Sequence, residues 1–252
     1  MYALQIVGYH KSGKTTTVSK LVQRLKRAQK SVATLKDIHR EDFELDPPNS
    51  NTYIHKQAGA DLVIARGPRE TDFLYYRRME FLEITAQIAT DWLVVEGFKE
   101  FPLPKIVCGK TEAELDELID RRTFAIAGVI ANEKNEYRGL PVFNVLEKER
   151  ADELFDLVMA KVFPMLPYVD DACCQRCGLT CAGLVEAIIQ GEKTYQDCRI
   201  LEGSARLKIG QREIAMVPFV QRILKNNILA LVSELDGWQK NQRIEVIIDG
   251  IC

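Results

Sequence analysis

The sequence carries no surplus of basic residues. Its 34 Lys and Arg stand against 36 Asp and Glu, for a formal net charge of −2. Proteins that neutralise nucleic-acid phosphates need such a surplus, so neither DNA nor RNA is an expected partner. No apolar run approaches the roughly 18 to 20 residues that cross a bilayer. The first residues enter a strand pattern without the charged and apolar regions of a signal peptide. No membrane contact is therefore expected, and the cytoplasm is the expected compartment. Tandem repeats and low-complexity linkers are also missing. Histidine is scarce, with three residues in the chain, so the placing of two of them, His39 and His55, in one region draws notice; each reads equally well as a hydrogen-bonded surface residue.

What is present fits a globular protein. The 252 residues are 46% hydrophobic and 28% charged, enough for one large domain or two modest ones. From Met1 to about Pro164, apolar strand-like runs alternate with helical patterns. The runs are YALQIVGY, VATLKD, ADLVIARG, DWLVVEGF, LPKIVC, FAIAGVIAN and LPVFNV. Helices are expected after YALQIVGY to about Gln29, through EFLEITAQIA, from Thr111 to about Arg121, and from Glu147 to about Val162. Continuous apolar strands separated by helices are what a parallel sheet covered on both faces requires. The expected fold is α/β, a doubly wound, mostly parallel sheet over residues 1–165. A cysteine-rich segment follows over 166–203. A small α+β unit completes the chain over 204–252: a hairpin from SARLKIG and REIAMV about Gly210, a helix in VQRILKNNILALVSEL and a closing strand in QRIEVIID.

The stretch Gly8-Tyr9-His10-Lys11-Ser12-Gly13-Lys14-Thr15 fits G-x-x-x-x-G-K-[ST] and lies between a first strand and a helix, as a phosphate-binding loop must. Two glycines allow the turn. The backbone N–H groups across His10, Lys11 and Ser12 form a concavity for phosphate oxygens, and the helix that starts near Lys14 aims its positive end at the same place. Lys14 would reach the outer phosphates, and the Thr15 hydroxyl would coordinate Mg²⁺. Such a loop needs an acid beyond it. DWLVVEGF brings Glu96 to the carboxyl end of a strand, where ligands of open α/β sheets bind, and makes it the partner for Mg²⁺ or its water. Asp37, ending VATLKD, is the second candidate. A solvated loop beginning at Glu96 is the plainer alternative.

These residues resemble a known family. VGYHKSGKTTTVSKLV, ATLKDIHRE, DPPNSNTYIHKQAGAD and DWLVVEGFKEFPLPKIVC match, in order, the phosphate loop, second-strand segment, aspartate-to-Ala-Gly-Ala segment and acidic strand of molybdopterin-guanine dinucleotide biosynthesis protein B (MobB), over about residues 1–165. The resemblance implies a GTP-binding accessory protein of molybdenum or tungsten cofactor biosynthesis. A weak GTPase at most, and a homodimer, it would assist the guanylyltransferase that attaches GMP to molybdopterin. Carried over by motif, Gly8, Gly13, Lys14, Thr15 and Thr16 hold the nucleotide, and Glu96 with Gly97 closes the metal side. Asp46, Ser50, Asn51, Thr52, Tyr53 and His55 lie in the segment thought to face the pterin or the partner. There the family's Gly-Lys before Asp-Ser or Asp-Thr is replaced by Pro48-Asn49-Ser50-Asn51-Thr52, so one acidic side chain is missing. Guanine preference rests on the resemblance alone. No N-K-x-D occurs, and Asn132 and Lys134 in ANEKNEY read as part of an exposed turn.

Five of the seven cysteines fall between Cys173 and Cys198, a clustering that points to metal or redox chemistry. Cys174, Cys177, Cys181 and Cys198 are spaced C-x2-C-x3-C-x16-C, with Gly178 giving the backbone room to wrap a bulky centre. Four thiolates suit a [4Fe–4S] cluster or tetrahedral Zn²⁺. The absence of a second C-x2-C knuckle disfavours zinc, and the pattern resembles the small four-iron domain of corrinoid iron–sulfur proteins, whose middle spacing is one residue longer. Cys173 is a substitute ligand, Cys108 a small core residue and Cys252 a bystander. Two other functions compete with the accessory role. One is a nucleotide-driven metallochaperone delivering a cluster or metal. The other is a small-molecule kinase, for which Arg66, Arg69, Arg77 and Arg78 would supply the lid.

Overall fold

A computed structural model describes residues 1–40, 42–98, 101–168, 177–200, 205, 207–209, 212–214, 216, 218–236, 238 and 244–246. The chain runs β1 (Tyr2–Gly8), α1 (Lys14–Arg27), β2 (Val32–Lys36), α2 (Asn51–Gln57), β3 (Leu62–Arg66), β4 (Thr71–Tyr75), α3 (Phe81–Ala86) and β5 (Trp92–Glu96). It continues β6 (Lys105–Cys108), α4 (Glu112–Leu118), β7 (Thr123–Ala127), β8 (Glu136–Tyr137), β9 (Leu140–Phe143) and α5 (Lys148–Lys161). Last come α6 (Cys181–Ile189), β10 (Leu207–Ile209), β11 (Arg212–Ile214) and α7 (Pro218–Val232).

Seven strands form one sheet in the order β2-β5-β1-β6-β7-β9-β8. Every neighbouring pair is parallel except β8–β9. β1 is central, because each of its edges carries a register of apolar partners: Ala3 opposite Leu93 and Leu4 opposite Val94 on one side, Ile6 opposite Ile106 and Val7 opposite Val107 on the other. Alternate residues of β1 feed opposite faces. Leu4 and Ile6 meet Val18, Leu21 and Leu25 of α1 and Leu154 and Val158 of α5. Val7 meets Leu115 and Leu118 of α4, and Ala3 meets Phe81 of α3. Both faces are therefore covered, as the continuous apolar strands require. Arg24 of α1, only 8% exposed, ties the two helices of one face together through a 2.8 Å bond to Asp152 of α5.

One apolar run departs from expectation. ADLVIARG does not enter the main sheet but pairs antiparallel with β4 in a separate two-stranded ribbon. The run is too weakly one-sided for the sheet interior: Val63 is buried while Ile64 stands exposed. The expected hairpin forms from β10 and β11, and the α7 helix is present, whereas Ile244, Glu245 and Val246 form no strand; the remainder of the proposed closing strand, with Gly210, lies outside the described residues.

The segment after Pro164 shares the core of the sheet domain. Leu166, Leu184, Val185, Ile189, Cys198 and Ile200 belong to the same apolar cluster as Leu154, Val158 and Val162. Pro164 itself bridges back to Tyr2. No helix among the described residues is long and apolar enough to cross a membrane.

Candidate phosphate-binding site

The site forms where β1, β2 and β5 end. β1 stops at Gly8, and the loop that follows turns through Lys11 at φ 58° and Gly13 at φ 97° into α1, whose first residue is Lys14. Gly8 is required by close approach: a Cβ there would lie 2.3 Å from the carbonyl oxygen of Cys108, at the end of β6. A second glycine, Gly128, closes the loop from the β7 side at φ 92°, and its Cβ would meet the Ser12 carbonyl oxygen at 2.1 Å. The Val129 N–H donates to that same oxygen at 3.2 Å. The loop is thus clamped between two strand ends.

Inside this clamp lie the polar groups of the loop. Ser12 is fully buried, and its Oγ has no hydrogen-bond partner. Lys14 folds back so that Nζ donates to the Tyr9 carbonyl at 2.6 Å. Partial burial pushes its ammonium below the ordinary lysine value, against the raising influence of Glu96 nearby. Tyr9 reaches the other way and donates through its hydroxyl to Glu117 of α4. His10, Lys11 and Thr16 are exposed on the rim.

Glu96 is 7% exposed at the end of β5, and two groups converge on its Oε1. The Thr15 hydroxyl donates to it at 2.9 Å, and Lys36 Nζ lies 3.0 Å away. β2 and β5 are parallel neighbours with Lys36 opposite Glu96, which explains the contact. Asp37 follows, held by its N–H to the Glu96 carbonyl at 3.0 Å. Its Oδ2 is buried without a hydrogen bond; His39 Nε2 stands 3.6 Å off, too far to supply one. The structure therefore brings Thr15, Asp37 and Glu96 to one place and adds Lys36. The sequence held the signal for Lys36 in its position beside Asp37 at a strand end, but only pairing with β5 aims it at Glu96. Gly128, sequence-distant from the loop, carried no motif at all.

Cys108 lies beneath the loop, fully buried, with its sulfur 3.4 Å from Thr17 Oγ1. Burial pushes its thiol up to about 12, which makes it a packing group and not a nucleophile.

The other candidates occupy separate places. Asp46, nearly buried, accepts from Ser50 Oγ at 2.6 Å and Thr52 Oγ1 at 2.8 Å, and Ser50 in turn caps α2 by accepting from Tyr53 N at 3.0 Å. The second oxygen of Asp46 and the Tyr76 hydroxyl are both buried without partners. His55 is exposed. Asn132 Oδ1 accepts from Asn144 and Lys134 pairs with Glu112 at 2.6 Å, so ANEKNEY spends its polar groups on a turn. Arg77 binds Glu83 through two 3.0 Å bonds, while Arg66 ends β3 and Arg69 lies in the β3–β4 turn.

Of the four-cysteine set, Cys177 sits in the turn before α6 with Sγ 3.4 Å from the Leu179 carbonyl, Cys181 is the first residue of α6, and Cys198 is 4% exposed. Gly178, between Cys177 and Cys181, takes φ 79°, a left-handed conformation that glycine adopts freely in a tight turn. Among the described residues no three His, Cys, Asp or Glu come together in a metal-binding group. Cys174 lies outside the described residues, as do Cys173 and Cys252.

The profile of the family described as molybdopterin guanine dinucleotide synthesis protein B (MobB) matches residues 3–132. A protein of Methanocaldococcus jannaschii, named as a molybdopterin-guanine dinucleotide biosynthesis adapter protein, is 29% identical over 99% of this chain and 98% of its own. That match runs through the cysteine segment and the C-terminal residues. A Bacillus subtilis protein named for the same adapter role is 28% identical over 56% of this chain and 84% of its own. The crystal structure of Bacillus subtilis MobB superposes with a TM-score of 0.52 at 26% identity, covering 62% of this chain and 98% of that one.

Proposed function

We infer function from one premise: the chain belongs to the molybdopterin guanine dinucleotide synthesis protein B family, MobB. It acts as a nucleotide-binding adapter of molybdenum cofactor biosynthesis, binding GTP with Mg²⁺ and working with molybdopterin or with the guanylyltransferase that loads it. The adapter names of the relatives support the pathway. The observation that carries the nucleotide is the meeting of Thr15 and Glu96 at 2.9 Å beside a glycine-clamped loop.

In this reading the N–H groups of residues 10–15 receive the phosphates and Lys14 exchanges the Tyr9 carbonyl for a phosphate oxygen. Thr15 and Glu96 would hold Mg²⁺, with Asp37 beside them, and the orphaned Oδ2 of Asp37 gives the donor set a spare acceptor of the kind this hard cation prefers. The bound ion would supply charge neutralisation along the phosphates. His10, Lys11 and Thr16 line the entrance, and the buried Ser12 Oγ lies within the loop. The loop itself contains no arginine and no dedicated base, so hydrolysis by the protein alone is slow, well below about one turnover per second.

Cys174, Cys177, Cys181 and Cys198 form the second site of this reading, a [4Fe–4S] centre, with Zn²⁺ as the alternative. Cys181 fits a thiolate because it opens α6, whose N-terminal end favours negative charge. The assembly is a homodimer. Titration calorimetry with GTP and ATP in Mg²⁺ tests the nucleotide reading: GTP is expected to bind more tightly, and binding of neither overturns it. Absorption spectra and metal analysis of anaerobically purified protein test the centre: about four irons support the cluster, and one zinc replaces it.

A further inference from the structure

Lys36 is not needed to build the sheet. Its side chain is 56% exposed and comes from the last residue of an edge strand, yet its ammonium is placed 3.0 Å from the one oxygen of Glu96 that also accepts from Thr15. The Glu96 side chain, by contrast, is only 9% exposed. A buried carboxylate at the rim of a phosphate cradle is a problem for a metal-free site: a triphosphate arriving there meets a like charge in a poorly solvated place. The second carboxylate, Asp37, adds to it, since its Oδ2 is buried without a hydrogen bond and His39 Nε2 stands 3.6 Å away.

We propose that Lys36 is a resident cation of the phosphate site: its ammonium neutralises Glu96 and contacts the outer phosphates, so that nucleotide binds before, and without, a divalent ion. The proposal rests on the nucleotide reading given above and adds to it the order in which charge is assembled. Exposure gives Lys36 the room to act this way. Four methylene groups let the ammonium swing from Glu96 toward a phosphate while its backbone stays paired to β5. Lys14 cannot do the same work, because it approaches from inside the loop, on the Tyr9 carbonyl, and makes no bond to Glu96. With Thr15 and Glu96 holding a divalent ion, which would supply the neutralising charge itself, Lys36 would stay beside the carboxylate as a second positive group.

The test compares GTP affinity in EDTA and in excess Mg²⁺ for the wild type, Lys36→Met and Lys36→Arg. Methionine keeps the length of the stem and removes only the charge. The wild type is expected to bind GTP measurably in EDTA. Lys36→Met should weaken that metal-free binding by about tenfold or more, as expected for loss of a charge-assisted contact, and the deficit should shrink several-fold when Mg²⁺ is present. Lys36→Arg should recover most of the metal-free affinity. A wild type that binds only with Mg²⁺, or a Lys36→Met deficit equal in both conditions, overturns the proposal while leaving the nucleotide site standing. A wild type that binds GTP in neither condition overturns the nucleotide reading itself. Thermal unfolding of the nucleotide-free variants separates these outcomes from misfolding: each variant is expected to unfold in one cooperative transition, with Lys36→Met at a lower midpoint than Lys36→Arg because Glu96 then lacks its cation.

Discussion

Replacing Lys14 with alanine removes an ammonium that in the free protein donates to the Tyr9 carbonyl at 2.6 Å. A charge-assisted hydrogen bond contributes about 1.5 to 3 kcal/mol, but the free protein gives up the Tyr9 contact to make it. The net loss on nucleotide binding is therefore smaller, about 1 to 2 kcal/mol, or a roughly 5- to 30-fold weaker Kd. Partial burial already disfavours the charge on Lys14, so part of its solvation is lost before any phosphate arrives. Titration calorimetry reads the affinity directly. Thermal unfolding gives a second measure: at a GTP concentration of about 100 times the wild-type Kd, ligand stabilises the wild type by about 2.7 kcal/mol, and a tenfold weaker variant by about 1.4 kcal/mol. An unchanged Kd together with an unchanged GTP-induced shift would refute the assignment of Gly8 to Thr15 as a phosphate loop.

Other substitutions probe the frame around the loop. Gly128→Ala places a methyl 2.1 Å from the Ser12 carbonyl oxygen at a φ of 92°, so it should cost about 1 to 3 kcal/mol in urea unfolding and weaken GTP binding; a variant as stable as wild type would show that the clamp yields freely. If the proposed centre is held by Cys174, Cys177, Cys181 and Cys198, changing any of them to Ser should abolish the iron or zinc found by metal analysis and make chain beyond Pro167 sensitive to protease; unchanged metal content in all four variants would refute the ligand set. Because Cys198, Leu184 and Ile200 share a cluster with Val158 and Val162, a chain ended at residue 165 should bind GTP but unfold at lower urea than the whole protein; equal midpoints would mean the shared packing contributes nothing. Burial opposes charge on Asp120, yet hydrogen bonds from Arg122 and Lys105 win and hold its carboxyl below the ordinary value of 3.8. Its stabilisation is thus present above that value and lost as pH falls through the lowered one, so Asp120→Asn should flatten the acid limb of a stability–pH curve below about pH 4.

Much of the site was legible before folding because phosphate loops are local. Gly8, Gly13, Lys14 and Thr15 occupy eight consecutive residues, and backbone sterics within so short a stretch dictate one turn from strand to helix. The parallel sheet was legible for a similar reason: WLVVE and TFAIA are buried at every position, and only a strand covered on both faces needs that run. Tertiary structure alone decided what lies across from these elements. β3 and its neighbour left the sheet for a ribbon because strand pairing is settled by partners, which an apolar run does not name. Lys36 reached Glu96, and Gly128 closed on Ser12, across sequence separations that no spacing rule spans; both follow from strand order, and strand order is a property of the assembled sheet. The boundary near Pro164 marked a real change of composition, yet the apolar residues after it had no reason in sequence to choose α5 as their partner. They packed there because Leu154, Val158 and Val162 offered apolar surface within reach, and burial against them joined the residues after Pro164 to the core of the sheet domain.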